Sequence, residues 1–256
     1  MKSRRSTNAP FQSAAIAPAR VVLTHCIVAA CVLLPQAAAA APNGWQFDVS
    51  GATGSTTRGI VESDKTPTLG VGANWYPDPG GGFFIGASAL TMRLTRSPET
   101  GAKIVANAGY TWRIQGDWSV QTIVSRYQFE HAPFATRMDY DEVALRGGWR
   151  DTVFATITAS PDTAFGPSPK SRAFSYDIAG RLPLAQGFSA TAGIGYYDLR
   201  AQLGGGYVYA DAGLTYEYGA MQVDLWYIGT HASTKMQAQI GSLLAHRWIA
   251  DVIWHF

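Results

Sequence analysis

From residue 45 onward, apolar side chains recur at every second position in one segment after another. In the segment 206–218, Val208 and Leu214 share one parity, whereas Asp211 and Glu217 take the other. A repeat of two places alternate side chains on opposite faces of a β-strand. After the first forty residues no run approaches the roughly 18 apolar residues that a membrane helix needs. The chain is therefore predicted to be all-β.

The alternation predicts about twelve strands. Their positions are 45–57, 68–76, 83–93, 102–113, 118–130, 140–149, 152–160, 172–183, 187–197, 206–218, 220–231 and 243–256. Short connections alternate with longer polar ones, of which 232–242 is an example. An even number of strands with this alternation of turns and loops is typical of an outer-membrane β-barrel. A long first connection then predicts that both termini are periplasmic.

Charged residues make up only 15% of the sequence, which suggests a surface that does not face water. Lipid offers no hydrogen bonds, so a sheet at bilayer depth must close on itself to pair its backbone groups. A soluble β-sandwich also alternates. However, the polar parity here is often only Gly, Ser or Thr. We therefore favour a single antiparallel transmembrane β-barrel.

The first forty residues have the order of a secretory signal peptide. A basic start is followed by the apolar run 21–34 and the alanine run 37–41, with cleavage expected near residue 40. Two alternatives are an N-terminal membrane helix and a lipoprotein signal at Cys31. Cleavage would leave 41–256 as the barrel domain, exported to the bacterial outer membrane.

Composition excludes several other classes of protein. Both cysteines, Cys26 and Cys31, lie in the predicted signal peptide, so thiolate chemistry is excluded from the rest of the chain. The first forty residues carry four of the 20 basic residues and none of the 18 acidic ones. Removing them changes the formal charge from +2 to −2, which gives no support for a nucleic-acid partner.

Charged residues on the polar parity are predicted to line the lumen. They are Asp48, Glu142, Arg146, Asp177, Arg181, Asp211, Glu217, Asp224, Arg247 and Asp251. Such mixed charges form either a network of mutually neutralising groups or the polar wall of a channel. Twelve strands about 4.8 Å apart and tilted by about 40° give a backbone radius of about 12 Å. An opening of about 10 Å is then expected, with inward glycines such as Gly109 and Gly193 leaving space.

Catalytic motifs are not apparent. No Gly-x-Ser-x-Gly elbow accompanies a histidine, and His255 is interpreted as an interfacial residue at the periplasmic rim. The acidic run 139–142 could suggest calcium, but a solvated loop is favoured. The sequence predicts a non-enzymatic passive channel for small hydrophilic solutes, without a cofactor or metal. The alternatives are an outer-membrane lipid hydrolase or deacylase, and a non-conducting barrel whose extracellular loops bind a ligand or partner.

Two further features concern the first loop and the last strand. The first loop carries Arg58, Gly59, Asp64 and Pro67. Arg58 either pins this loop over the mouth together with Asp64 or meets a passing anion. Alternatively, it contacts lipopolysaccharide phosphate at the outer rim or caps the strand. In the last strand, Trp254 and the terminal Phe256 match the signal read by the β-barrel assembly machinery. The expected partners are this machinery, outer-membrane lipid and lipopolysaccharide.

The chain resembles the Gcw-chp family of proteobacterial exported proteins over nearly all of 45–256. The most specific residues are Arg58-Gly59-Ile60, Asp64, Pro67, Leu69, Gly70-Val71-Gly72 and Trp75. Weaker matches are Gly86, Ile123, Arg126-Tyr127, Phe174-Ser175-Tyr176, Pro183-Leu184, Gly187-Phe188 and Gly195-Tyr196-Tyr197-Asp198. The chain departs from the family at its C-terminus, Trp-His-Phe. The resemblance implies an outer-membrane barrel of unassigned function and supplies no catalytic residues.

Overall fold

A computed structural model describes residues 44–63, 66–78, 80–93, 99–114, 116–131, 138–164 and 169–256. It contains a closed barrel of twelve antiparallel strands and a separate two-stranded hairpin. The predicted signal peptide lies outside the described residues. The strands are β1 Trp45–Ala52, β2 Ser55–Thr57, β3 Ile60–Ser63, β4 Thr68–Trp75, β5 Gly82–Met92, β6 Gly101–Arg113, β7 Trp118–Glu130, β8 Tyr140–Trp149, β9 Val153–Thr163, β10 Ser171–Pro183, β11 Phe188–Leu199, β12 Gly205–Tyr218, β13 Met221–Ala232 and β14 His246–His255. The helices are α1 Arg200–Leu203, α2 Thr234–Ile240 and the 3₁₀ helix η1 Gly241–Leu243.

The barrel closes where β1 pairs with β4 on one side and with β14 on the other. Phe47 and Phe256 exchange main-chain hydrogen bonds of 3.3 and 2.8 Å, so the last residue takes part in the closing ladder. We call the end of the barrel with the short connections the turn end and the opposite end the loop end. The predicted twelve-stranded antiparallel barrel is confirmed.

The outer face of the barrel is apolar along most of its height. Leu145 and Ile178, halfway along their strands, remain 51% and 57% exposed. Aromatic side chains such as Trp45 and Trp254 cover the outer face near the turn end. Charged side chains reach the outer face near the loop end, where Arg126 and Asp141 form a hydrogen bond of 3.0 Å. This distribution agrees with the predicted alternation and is typical of barrels whose apolar outer band faces lipid.

Two elements at the loop end differ from the predicted pattern. β1 ends at Ala52, not at residue 57, and the residues after it form the hairpin β2–β3. The predicted polar loop 232–242 contains α2, which Ser233 caps by accepting a hydrogen bond from the Met236 amide. Met236 and Ile240, one turn apart, are buried. As a result β14 begins at residue 246, not at 243. No helix of the described residues is long and apolar enough to cross a membrane.

Candidate functional site

The hairpin β2–β3 turns at Arg58 and Gly59. Both residues have positive φ angles, 49° and 75°. A two-residue turn of this kind favours Asn-Gly, Asp-Gly or Gly-Gly, because bulky L-residues are strained at positive φ. Gly59 is also required by space, since a Cβ atom there would lie 2.6 Å from Thr230 Oγ1. An arginine at the first turn position is therefore unusual.

The hairpin lies inside the barrel at the loop end. Its residues Thr56 and Val61 are buried. The Gly59 carbonyl accepts hydrogen bonds from the Ala245 amide (2.8 Å) and the Thr230 hydroxyl (3.2 Å). The hydroxyl of Tyr207 donates to the Arg58 carbonyl at 2.8 Å. These contacts attach the tip of the hairpin to β12, β13 and the start of β14.

Two ion pairs join the hairpin to other parts of the wall. The Arg58 guanidinium donates to both carboxylate oxygens of Glu142 on β8, at 2.5 and 2.9 Å. The same guanidinium lies 5.1 Å from the ring centroid of Tyr197 on β11. The buried Lys103 of β6 contacts Glu62 of the hairpin. Because β6, β8 and β12–β14 lie around the barrel, the hairpin spans the lumen.

Apolar side chains pack around the hairpin on one side of the loop end. Val61 lies among Trp226, Ile249 and neighbouring buried residues. Ile60 packs against a cluster of Tyr207, Met236 and other residues from β10–β13 and α2. Together with the ion pairs, this packing closes the loop end over β10–β14.

The turn end is filled by side chains of the barrel wall itself. Arg181 contacts Glu217, and His255 Nδ1 lies 2.6 Å from Asp48. Further inward residues are buried at the same end. The Asp224 carboxylate accepts hydrogen bonds from Thr215 and Gln222, each at 2.5 Å. It also faces Asp251 on the neighbouring strand β14. The Arg146 guanidinium lies 3.9 Å from the ring centroid of Phe154.

Between these two levels lies a ring of half-buried, mostly small or polar inward residues, among them Ser50, Ser125, Asp177 and Asp211. The Tyr209 hydroxyl donates to Asp177. These inward residues of the middle level are less buried than most inward residues at the two ends.

The ten predicted lumen residues are buried or half-buried on the inward parity of their strands. The structure brings together Arg181 with Glu217 and Asp224 with Asp251. The others contact residues outside the predicted set: Asp48 with His255, Glu142 with Arg58, Arg146 with Phe154, Asp177 with Tyr209, Asp211 beside Gly193, and Arg247 with the Ser63 carbonyl.

The expected opening of about 10 Å is not seen, because most inward side chains described at both ends are buried. Gly109 and Gly193 do not leave space, whereas a Cβ at inward Gly72 would approach no atom closer than 3.8 Å. A Cβ at Gly109 would lie 2.3 Å from the Phe84 ring, and one at Gly193 would lie 2.8 Å from Asp211. The side chains of Phe84 and Asp211 therefore fill the space beside these two glycines.

Of the first-loop residues, Arg58 and Gly59 form the tip of the hairpin. The Arg58 side chain is 10% exposed, and its guanidinium lies against Glu142. Asp64, its predicted partner, lies outside the described residues. Pro67 is exposed immediately before β4. Trp254 and Phe256 lie on the outer face, and their assembly role stays a prediction.

Several residues that contact the hairpin, and the hairpin itself, were not predicted from the sequence. Lys103 shares the inward parity of β6 and could have been included. The hairpin also had a signal, because β-branched residues flank the pair Arg58-Gly59 on both sides. His255, interpreted as a residue of the rim, lies at the turn end and points inward to Asp48. No metal-ligand cluster is found among the described residues.

Comparisons with known proteins concern the fold. No family model and no curated protein matches the chain, so the Gcw-chp resemblance stays a prediction. Solved structures of outer-membrane barrels do match. The KdgM porin has a TM-score of 0.54 at 10% identity, over 82% of this chain and 99% of that one. The KdgM porin in complex with disordered oligogalacturonate gives 0.52 at 8%, over 83% and 98%. LpxR from Salmonella typhimurium gives 0.48 at 8%, over 82% and 100%. The chain has the fold of outer-membrane β-barrels.

Proposed function

We propose that this protein is an outer-membrane channel for small hydrophilic solutes that the first-loop hairpin holds closed. The loop end would face the cell exterior, and both termini the periplasm. The apolar outer face supports a position in the membrane, since it exposes side chains such as Ile178 to the surroundings.

The observation that carries the proposal is that the hairpin is separate from the wall. Its two strands pair with each other as a sheet of their own, whereas β1 and β4 pair directly across the point where it branches off. The hairpin can therefore pivot away from the opposite wall without breaking any wall pairing between β1 and β4. A closed barrel with a hairpin inside that can move relative to the wall is suited to controlled passage.

The chemistry of the interior supports the same function. Arg58–Glu142 and Lys103–Glu62 are buried ion pairs, and such pairs are often no more stable than well-packed apolar residues of the same volume. A barrel serving only as a rigid support would not need them. A lumen that admits water when the hairpin moves does need polar walls.

A non-conducting barrel is the second candidate, and the turn end favours it. Phe84 and Phe154 are 1% and 4% exposed there. Both belong to wall strands, so they would still fill the turn end if the hairpin moved. An enzymatic function gains less support from the geometry. His255, the inward histidine, is held by the carboxylate of Asp48, without a serine in that contact.

Planar-bilayer recording on a hairpin-less variant tests the proposal. In this variant residues 55–63 are replaced by a Gly-Ser-Gly linker. We expect the wild type to stay mostly closed and the variant to show steady, discrete conductance. Heat-modifiable gel migration and a β-type circular dichroism spectrum serve as controls for folding. If the variant folds and remains silent, the protein is a non-conducting barrel.

A further inference from the structure

The slot that holds Arg58 has the chemistry of a binding site. Its floor is the Glu142 carboxylate, which is 3% exposed and accepts two hydrogen bonds from one guanidinium. One side is the ring of Tyr197, at a distance suited to a cation–π contact. A carboxylate and an aromatic ring placed in this way fit a planar guanidinium or an alkylammonium group.

The slot and its occupant belong to different parts of the molecule. Glu142 and Tyr197 lie on wall strands β8 and β11, which the barrel holds in place whether or not the hairpin is present. The occupant, Arg58, belongs to the hairpin, which is a sheet of its own inside the barrel. The structure thus shows a preformed cation slot with one of the protein's own side chains inside it.

The turn geometry indicates that Arg58 is there for its side chain. Its φ of 49° suits glycine, asparagine or aspartate and costs an arginine conformational energy. A turn alone would not require this residue. Further aromatic surface continues from the slot, since the ring centroids of Tyr197 and Tyr207 are 5.8 Å apart and those of Tyr207 and Tyr209 are 6.2 Å apart.

We propose that this slot binds the guanidinium or ammonium group of a small cationic solute, which competes with Arg58 for Glu142 and Tyr197. Displacement of Arg58 removes the bidentate contact that holds the hairpin tip to β8. The proposal deepens the proposed channel function by naming the class of solute that opens it. It also stands as a binding site in a barrel that does not conduct.

Calorimetric titration of the full barrel in detergent with agmatine, which carries both a guanidinium and an ammonium group, tests the proposal. We expect Arg58→Ala to bind agmatine at least about tenfold more tightly than the wild type, because a tethered competitor acts at a millimolar effective concentration. Arg58→Lys should stay close to the wild type, since it refills the slot with a cation. The double variant R58A/E142Q should lose the gain.

The matched control is Arg113→Ala, which removes a guanidinium whose Nη1 contacts both carboxylate oxygens of Asp151 at the turn end. It should not gain agmatine binding, because the Asp151 side chain is 20% exposed and water screens its charge, whereas the Glu142 side chain is 3% exposed. If R58A fails to fold, the hairpin-less variant presents the same vacant slot. Equal binding by wild type and R58A, or a gain that survives E142Q, would overturn the site. A silent bilayer recording together with tight binding would overturn only the channel.

Discussion

The outer face and the interior of this barrel are built from the same strands, yet they follow different rules. Over most of its height the outer face repeats one class of side chain, the apolar one, and charged groups reach it only near the loop end. Many inward residues instead have a particular partner, such as Glu142 for Arg58 or Asp48 for His255. The difference shows that substitutions outside should depend on depth and polarity, whereas substitutions inside should depend on which partner remains.

The largest effect is expected inside, at Lys103. Lys103→Met takes away the cation that contacts the buried Glu62, and removing one member of a buried pair costs about 3–5 kcal/mol. The free energy of unfolding, from urea titration in lipid vesicles, measures the loss. The double variant with Glu62→Gln should recover most of it. Similar losses in the single and double variants would show that the interior does not depend on partners.

The next effect is expected outside, at Ile178. This side chain lies halfway along β10 and is 57% exposed to the surroundings. Ile178→Arg should cost about 2–4 kcal/mol, because a cation at the bilayer midplane loses its hydration. Ile178→Leu, which keeps the apolar character, is the control in the same titration. A harmless arginine would mean that this face is not surrounded by lipid.

The smallest effect is expected at the turn end, where Arg113 and Asp151 pair at 3.0 Å but are 31% and 20% exposed. Water screens such a pair, so Arg113→Ala should change the free energy of unfolding by less than about 1 kcal/mol. Asp151→Ala should behave alike in the same urea titration. A loss as large as that of Lys103→Met would remove the distinction between buried and exposed pairs.

The outer face could be predicted from the sequence because an alternation of two needs only local information. The strands β7 and β8 are placed as predicted, and the ten inward charges lie on the expected parity. The pairings could not be predicted, because period two gives the face of a residue but not its neighbour. Arg58 and Glu142 are 84 residues apart, and Asp48 and His255 are 207 apart.

The candidate site was predicted only in part. Arg58 stood out as a residue of the first loop, and Glu142 as an inward charge, but nothing in the sequence joined them. The first connection was expected to be a longer polar loop over residues 58–67, after a strand that ends near residue 57. Its inward fold depends on the tertiary contacts of Gly59 with Thr230 and Ala245.

The hairpin is attached to the wall by very short tethers. Two residues separate β1 from β2, and four separate β3 from β4. At about 3.5 Å for each extended residue, these tethers reach only about 7 and 14 Å. The hairpin can therefore pivot at the β1–β4 side but cannot drift away from it. Any passage that it uncovers would be eccentric, a crescent along the β6–β8 wall with the hairpin itself as its inner edge.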